Sequence, residues 1–68
     1  MKNSKAIDAE QPNSRERLLE TAIGKFAERG YAGTSVREIV EHAGVSKPVL
    51  YYYFQSKEGL FLAILDMA

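Results

Sequence analysis

Ser35-Val36-Arg37-Glu38-Ile39-Val40-Glu41-His42-Ala43-Gly44-Val45-Ser46-Lys47-Pro48-Val49-Leu50-Tyr51-Tyr52-Tyr53-Phe54 is the stretch that decides the fold. Ser35 and Glu38 have the Ser-x-x-Glu spacing of a capping box, in which each side chain bonds the other residue's backbone N–H. Val36, Ile39, Val40 and Ala43 then recur at helical spacing and give a short helix one apolar face. Gly44 ends it. Ser46 is a natural N-cap for the next helix, and Pro48 falls in its first turn, where a missing N–H does little harm. Two short helices joined through Ala43-Gly44-Val45 form a helix-turn-helix pattern: a small residue, a glycine able to take positive φ, then an apolar plug.

The second helix of this pair, about Lys47 to Phe54, is the natural recognition element. At about 100° per residue, fixing Leu50 and Phe54 inward turns Pro48, Val49 and Tyr52 outward, with Tyr51 and Tyr53 on the flanks. Lys47 sits at the helix start, within reach of a groove edge or a phosphate. Thymine methyls suit the apolar surface, and phenols can bond phosphate or base edges. Ser46 and the free N–H groups of the helix start offer a phosphate seat. Four consecutive aromatics cannot all face one way on a helix. Tyr52 is therefore expected at a binding face, while Tyr51 reads equally well as core or as contact. Taken alone, Lys47, Lys57 and Arg37 also read as ordinary solvated charges, and His42 as a helix-end residue suited to the dipole.

Outward from this centre, Leu18, Leu19, Ala22, Ile23, Phe26 and Ala27 form an apolar stripe on a longer first helix, about Ser14 to Arg29. Asn13 with Glu16 reads as its capping box, and Gly30 as its left-handed end, with Tyr31 packing back on Phe26. After Gln55, Ser56 caps a fourth helix from Lys57. The expected fold is all-α: a three-helix bundle with a helix-turn-helix over residues 13–55, and the start of a further helix over 56–68. Residues 1–12 read as a flexible polar tail, or less naturally as an arm that settles on DNA. Leu60-Phe61-Leu62-Ala63-Ile64-Leu65 is apolar all round and expects burial on more than one side. With the chain stopping at Ala68 in mid-helix, this implies a longer protein, and exposed apolar surface near Phe61 and Leu65.

Composition narrows the chemistry. The chain has 68 residues, 46% hydrophobic and without cysteine, so it forms one small domain with no disulfide and no thiolate metal site. One histidine cannot build a metal site. Neither a membrane-spanning run nor a signal-peptide pattern is present, which makes the cytoplasm the expected compartment. No nucleophile–base pair, paired carboxylates or phosphate loop suggests an enzyme, and no cofactor is implied. Nine Lys and Arg cancel nine Asp and Glu, whereas a nucleic-acid reader is expected to be basic. Distribution matters more than the sum: from Ala43 to Lys57 there are two lysines and no acid. Sequence-specific duplex DNA binding is thus the leading reading, and a small helical protein-interaction module the alternative.

Phe26-Ala27-Glu28-Arg29-Gly30-Tyr31, Thr34-Ser35, Ile39-Val40, Ala43-Gly44-Val45-Ser46-Lys47, Leu50-Tyr51-Tyr52-Tyr53-Phe54, Ser56-Lys57-Glu58 and Leu60 follow one another in an order and spacing that resembles the N-terminal domain of the tetracycline-repressor (TetR) family. The resemblance covers about Arg15 to Leu65. It implies a ligand-responsive bacterial transcription regulator, most often a repressor. Such a regulator reads a palindromic operator as a homodimer through a second domain, which also binds a small-molecule effector. By position, Arg37, Lys47, Pro48, Val49 and Tyr52 would face base edges. Thr34, Ser35, Ser46, Tyr51, Tyr53 and Lys57 would hold phosphates. Tyr53 stands where the family often has histidine, and Pro48 where glycine is common.

Overall fold

Among the described residues, four helices follow one another in the computed structural model: α1 Ser14–Arg29, α2 Val36–Ala43, α3 Lys47–Phe54 and α4 Lys57–Met67. The structure describes residues 13–67; the expected N-terminal tail lies outside the described residues. The described residues fold as helices and connectors without a strand, as the apolar periodicity predicts. α1 packs against each of the other three, and α3 lies between α2 and α4.

The core gathers Leu18, Leu19 and Ala22 from α1, Ile39, Val40 and Ala43 from α2, Val49, Leu50 and Phe54 from α3, and Leu60 from α4. Leu18, Ile39, Leu50 and Leu60 are fully buried. Each such side chain contributes about 1.5–3 kcal/mol relative to exposure. The α1 stripe is narrower than its sequence suggests: Ile23 and Ala27 are exposed and Phe26 is half-buried. The three helices packed against α1 cover only part of its apolar arc.

The helix ends explain how the elements are set. Ser35 takes extended geometry and its Oγ accepts from the Glu38 N–H at 3.1 Å, the serine half of the expected capping box, while the Glu38 carboxylate turns to Arg29. Ser56 Oγ accepts from Gly59 N–H at 2.9 Å and opens α4 in the same way. Gly44 has φ 76° and ψ 30°, the left-handed conformation expected of the turn, and its N–H bonds back to Val40 O at 2.9 Å.

Two ends differ from expectation. Asn13 has φ 74° and ψ 20° and its side chain caps nothing. A capping side chain needs extended backbone at that residue, so no capping box with Glu16 forms. Gly30 has positive φ but an extended ψ of 165°, with its N–H on Phe26 O at 2.8 Å. The chain leaves α1 extended, and Tyr31 folds back on Phe26 with ring centroids 5.5 Å apart, the expected contact.

Sequence periodicity gave no warning of two tertiary ties. Arg17 on α1 donates from Nε to Ala43 O at 3.0 Å, pinning the helix-turn-helix corner and satisfying a carbonyl at the negative end of α2. Glu38 on α2 meets Arg29 at 3.0 Å and Lys25 at 3.8 Å, both from α1. On α4, Leu62, Leu65 and Met67 are exposed, as the apolar run implies, but Phe61 is half-buried against Phe26 and Tyr31. Among the described residues, no helix is long and apolar enough to cross a membrane.

Candidate nucleic-acid interface

α3 presents one continuous outer face. Lys47, Pro48, Tyr51 and Tyr52 are all exposed, Tyr52 at 65% and Tyr51 at 44%. This settles the placement of Tyr51 outside the core. The Tyr52 ring stands edge-on to Tyr53 at 4.9 Å between centroids, which limits its motion. Tyr53 is half-buried and packs against the core, so its ring serves as a backing for Tyr52.

Val49 corrects the sequence reading. It is 1% exposed and belongs to the core, so its side chain offers nothing to a base edge. Leu50 and Phe54 alone mark only one side of the buried face of α3. α3 packs against α1, α2 and α4, and Val49, Leu50, Tyr53 and Phe54 together span a buried arc of about 140° at about 100° per residue. The remaining arc holds Lys47, Pro48, Tyr51 and Tyr52.

Thr34 is the second correction. It is 1% exposed, and its hydroxyl lies between Gly30 O at 2.9 Å and Lys25 O at 3.2 Å. That donor ties the connector to the end of α1 and is withdrawn from any phosphate. Ser35 is exposed, and its Oγ uses a lone pair for the cap, so the hydroxyl proton is free to be donated. Ser46 takes the extended backbone of an N-cap but makes no side-chain cap bond, which leaves its hydroxyl at the start of α3.

The cations sort by partner. Arg15 lies over the Phe54 ring, Arg17 holds Ala43 O, and Lys25 and Arg29 hold Glu38. Arg37, on the exposed side of α2, is paired through Nε with Glu41 at 3.1 Å. That bond leaves both Nη groups to meet a planar acceptor pair. Lys47 has no carboxylate partner among the described residues, and Lys57 lies 4.2 Å above the Tyr31 ring. The two lysines without carboxylates therefore stand at the starts of α3 and α4, where helix dipoles already favour an anion. An acid-free stretch, two helix starts and an aromatic face thus lie on one run of chain, Ser46 to Lys57. No group of three or more His, Cys, Asp or Glu among the described residues could hold a metal ion.

The family model for bacterial regulatory proteins of the tetR family matches residues 18–64. The chain belongs to the TetR family. The HTH-type transcriptional regulator RutR of Escherichia coli strain K12 is 42% identical over 64 residues, covering 94% of the chain and 28% of that protein. The HTH-type transcriptional activator FasR of Mycolicibacterium smegmatis is 51% identical over 52 residues, 76% of the chain and 24% of that protein. An uncharacterized HTH-type transcriptional regulator of Bacillus subtilis, YdgC, is 46% identical over 52 residues, 76% of the chain and 27% of its own length. The chain thus spans about a quarter of the length of the curated relatives it matches. No solved structure matches it. The TetR family is one of transcriptional regulators rather than enzymes, and its match covers both helices of the helix-turn-helix and most of α4.

Proposed function

We propose that this TetR-family chain is the operator-reading head of a cytoplasmic transcription regulator, with α3 lying in the major groove of duplex DNA. The observation that carries the reading is the outer face of α3: a lysine with no carboxylate partner among the described residues, a proline and two exposed tyrosines on a stretch without acids. In this reading residues 13–55 form the reader and residues 56–68 lead towards a second domain. Arg37, Lys47, Pro48 and Tyr52 meet base edges; Ser35, Ser46, Tyr51, Tyr53 and Lys57 meet phosphates. Val49 and Thr34 hold the scaffold instead. The whole regulator would act as a homodimer on a palindromic operator, with a small-molecule effector acting through the second domain. Repression is the commoner direction expected of the family, although one relative is named an activator.

The test is an amide NMR titration with mixed-sequence duplex DNA at low and high salt. Shifts over Ser35–Arg37 and Ser46–Lys57 that vanish at high salt are expected, because phosphate neutralisation releases counterions. Shifts confined to Leu62–Met67, insensitive to salt, would favour the protein-interaction module and sink this assignment. In the same assay Lys47→Ala is expected to weaken binding and, if its ammonium rests on a phosphate, to lower the salt slope by about 0.9.

A further inference from the structure

Lys57 is the first residue of α4, and its Nζ sits 4.2 Å from the centroid of the Tyr31 ring. A cation in the first turn is opposed by the helix dipole, and a ring face beneath the ammonium offsets that. Tyr31 is well placed to do so. Its ring meets Phe26 at 5.5 Å and Phe61 at 5.0 Å, while Phe26 and Phe61 meet edge-on at 5.4 Å and 87°. Three rings from α1, the connector and α4 thus form a closed triangle. Phe61 lies four residues after Lys57 and so on the same side of α4. The outer ring of the triangle, Tyr31, remains 39% exposed, and its face receives the ammonium.

We propose that Tyr31 is a positioning residue for phosphate recognition: its ring holds the ammonium of Lys57, the first residue of α4. This rests on the reading of Lys57 as a phosphate contact. A lysine held on a ring gives up rotamer freedom before DNA arrives, so less is lost on binding. The ring carries no net charge and adds nothing to counterion release. Tyr31 therefore acts on affinity and leaves the salt slope alone, whereas Lys57 acts on both.

The experiment measures binding of a labelled mixed-sequence duplex by fluorescence anisotropy over a salt series. It compares the wild-type chain with Y31F, Y31L, K57A and the Y31L/K57A double variant. K57A is expected to weaken binding and lower the salt slope by about 0.9. Y31L is expected to weaken binding about two- to fivefold, the range of an exposed cation–π contact, with the slope unchanged. Y31F keeps a ring face and should match wild type. In the K57A background, Y31L should cost nothing more. A Y31L loss that persists without Lys57 would mean that the ring acts through packing alone, and would overturn the proposal, as would a Y31F variant as weak as Y31L. If K57A changes neither affinity nor slope, the phosphate role of Lys57 itself fails and the premise goes with it.

Discussion

Replacing Gly59 by alanine is expected to destabilise the domain by about 2–3 kcal/mol, the upper part of the range for overpacking, measured as a fall in the midpoint of urea or thermal unfolding. Gly59 lies in the first turn of α4, where a Cβ would collide with the carbonyl oxygen of Phe54 and crowd its carbon at 3.2 Å. The obstacle is backbone, so no side chain can swing aside. Relief requires α4 to move away from the end of α3, and that motion would loosen Leu60, which is fully buried directly after it. A domain of this size has only about 3–5 kcal/mol from its core, so the variant should be substantially unfolded at 37 °C. Because the cause is space rather than backbone conformation, Gly59→Asn should be no better than Gly59→Ala. An alanine variant as stable as wild type would mean that α3 and α4 do not approach as closely as the structure has them.

Helix boundaries followed from short-range chemistry. Ser35, Ser56 and Gly44 act through neighbours three or four residues away, and each behaves as its local pattern implies. Val49 and Thr34 could not be placed that way. Whether Val49 faces in depends on α3 being walled by helices on more than one side, which is a property of the assembled bundle. Thr34 next to Ser35 reads as a polar donor. Only the position of the α1 end shows that its hydroxyl is already used on Gly30 O and Lys25 O. Arg17 on Ala43 O spans 26 positions, and Lys57 on Tyr31 likewise joins separate elements. The exposed arc of α3 was largely legible, because Pro48 and Tyr52 lie opposite Leu50 whichever centre is chosen for the core face, and Lys47 lies at the helix start. Gly59 left no sequence signal, since a glycine inside a helical pattern does not announce a steric requirement from another element.

Gly44 provides the sharpest test of the helix-turn-helix corner, and its expected result differs in kind from that at Gly59. Its φ of 76° is a conformation in which an L side chain is strained. A Cβ here would meet only Arg17 Nη2 at 3.0 Å, the far end of a flexible side chain, so space is not the main obstacle. The cost is conformational: about 1–2 kcal/mol for an ordinary residue held left-handed, and less for asparagine, which visits that region routinely. Valine adds the crowding of a β-branched side chain, so Gly44→Val is expected to lose about 3 kcal/mol, most of the stability available to so small a domain. The order of stability should be Gly, Asn, Ala, Val, read from unfolding midpoints. Duplex binding should follow the same order, because the corner fixes α3 against α2 and so sets the Lys47 and Tyr52 face relative to Arg37. If Gly44→Val folds and binds as wild type does, the left-handed turn is not what sets that angle. If Gly44→Asn is as damaging as valine, the Arg17 contact, rather than backbone strain, governs the corner.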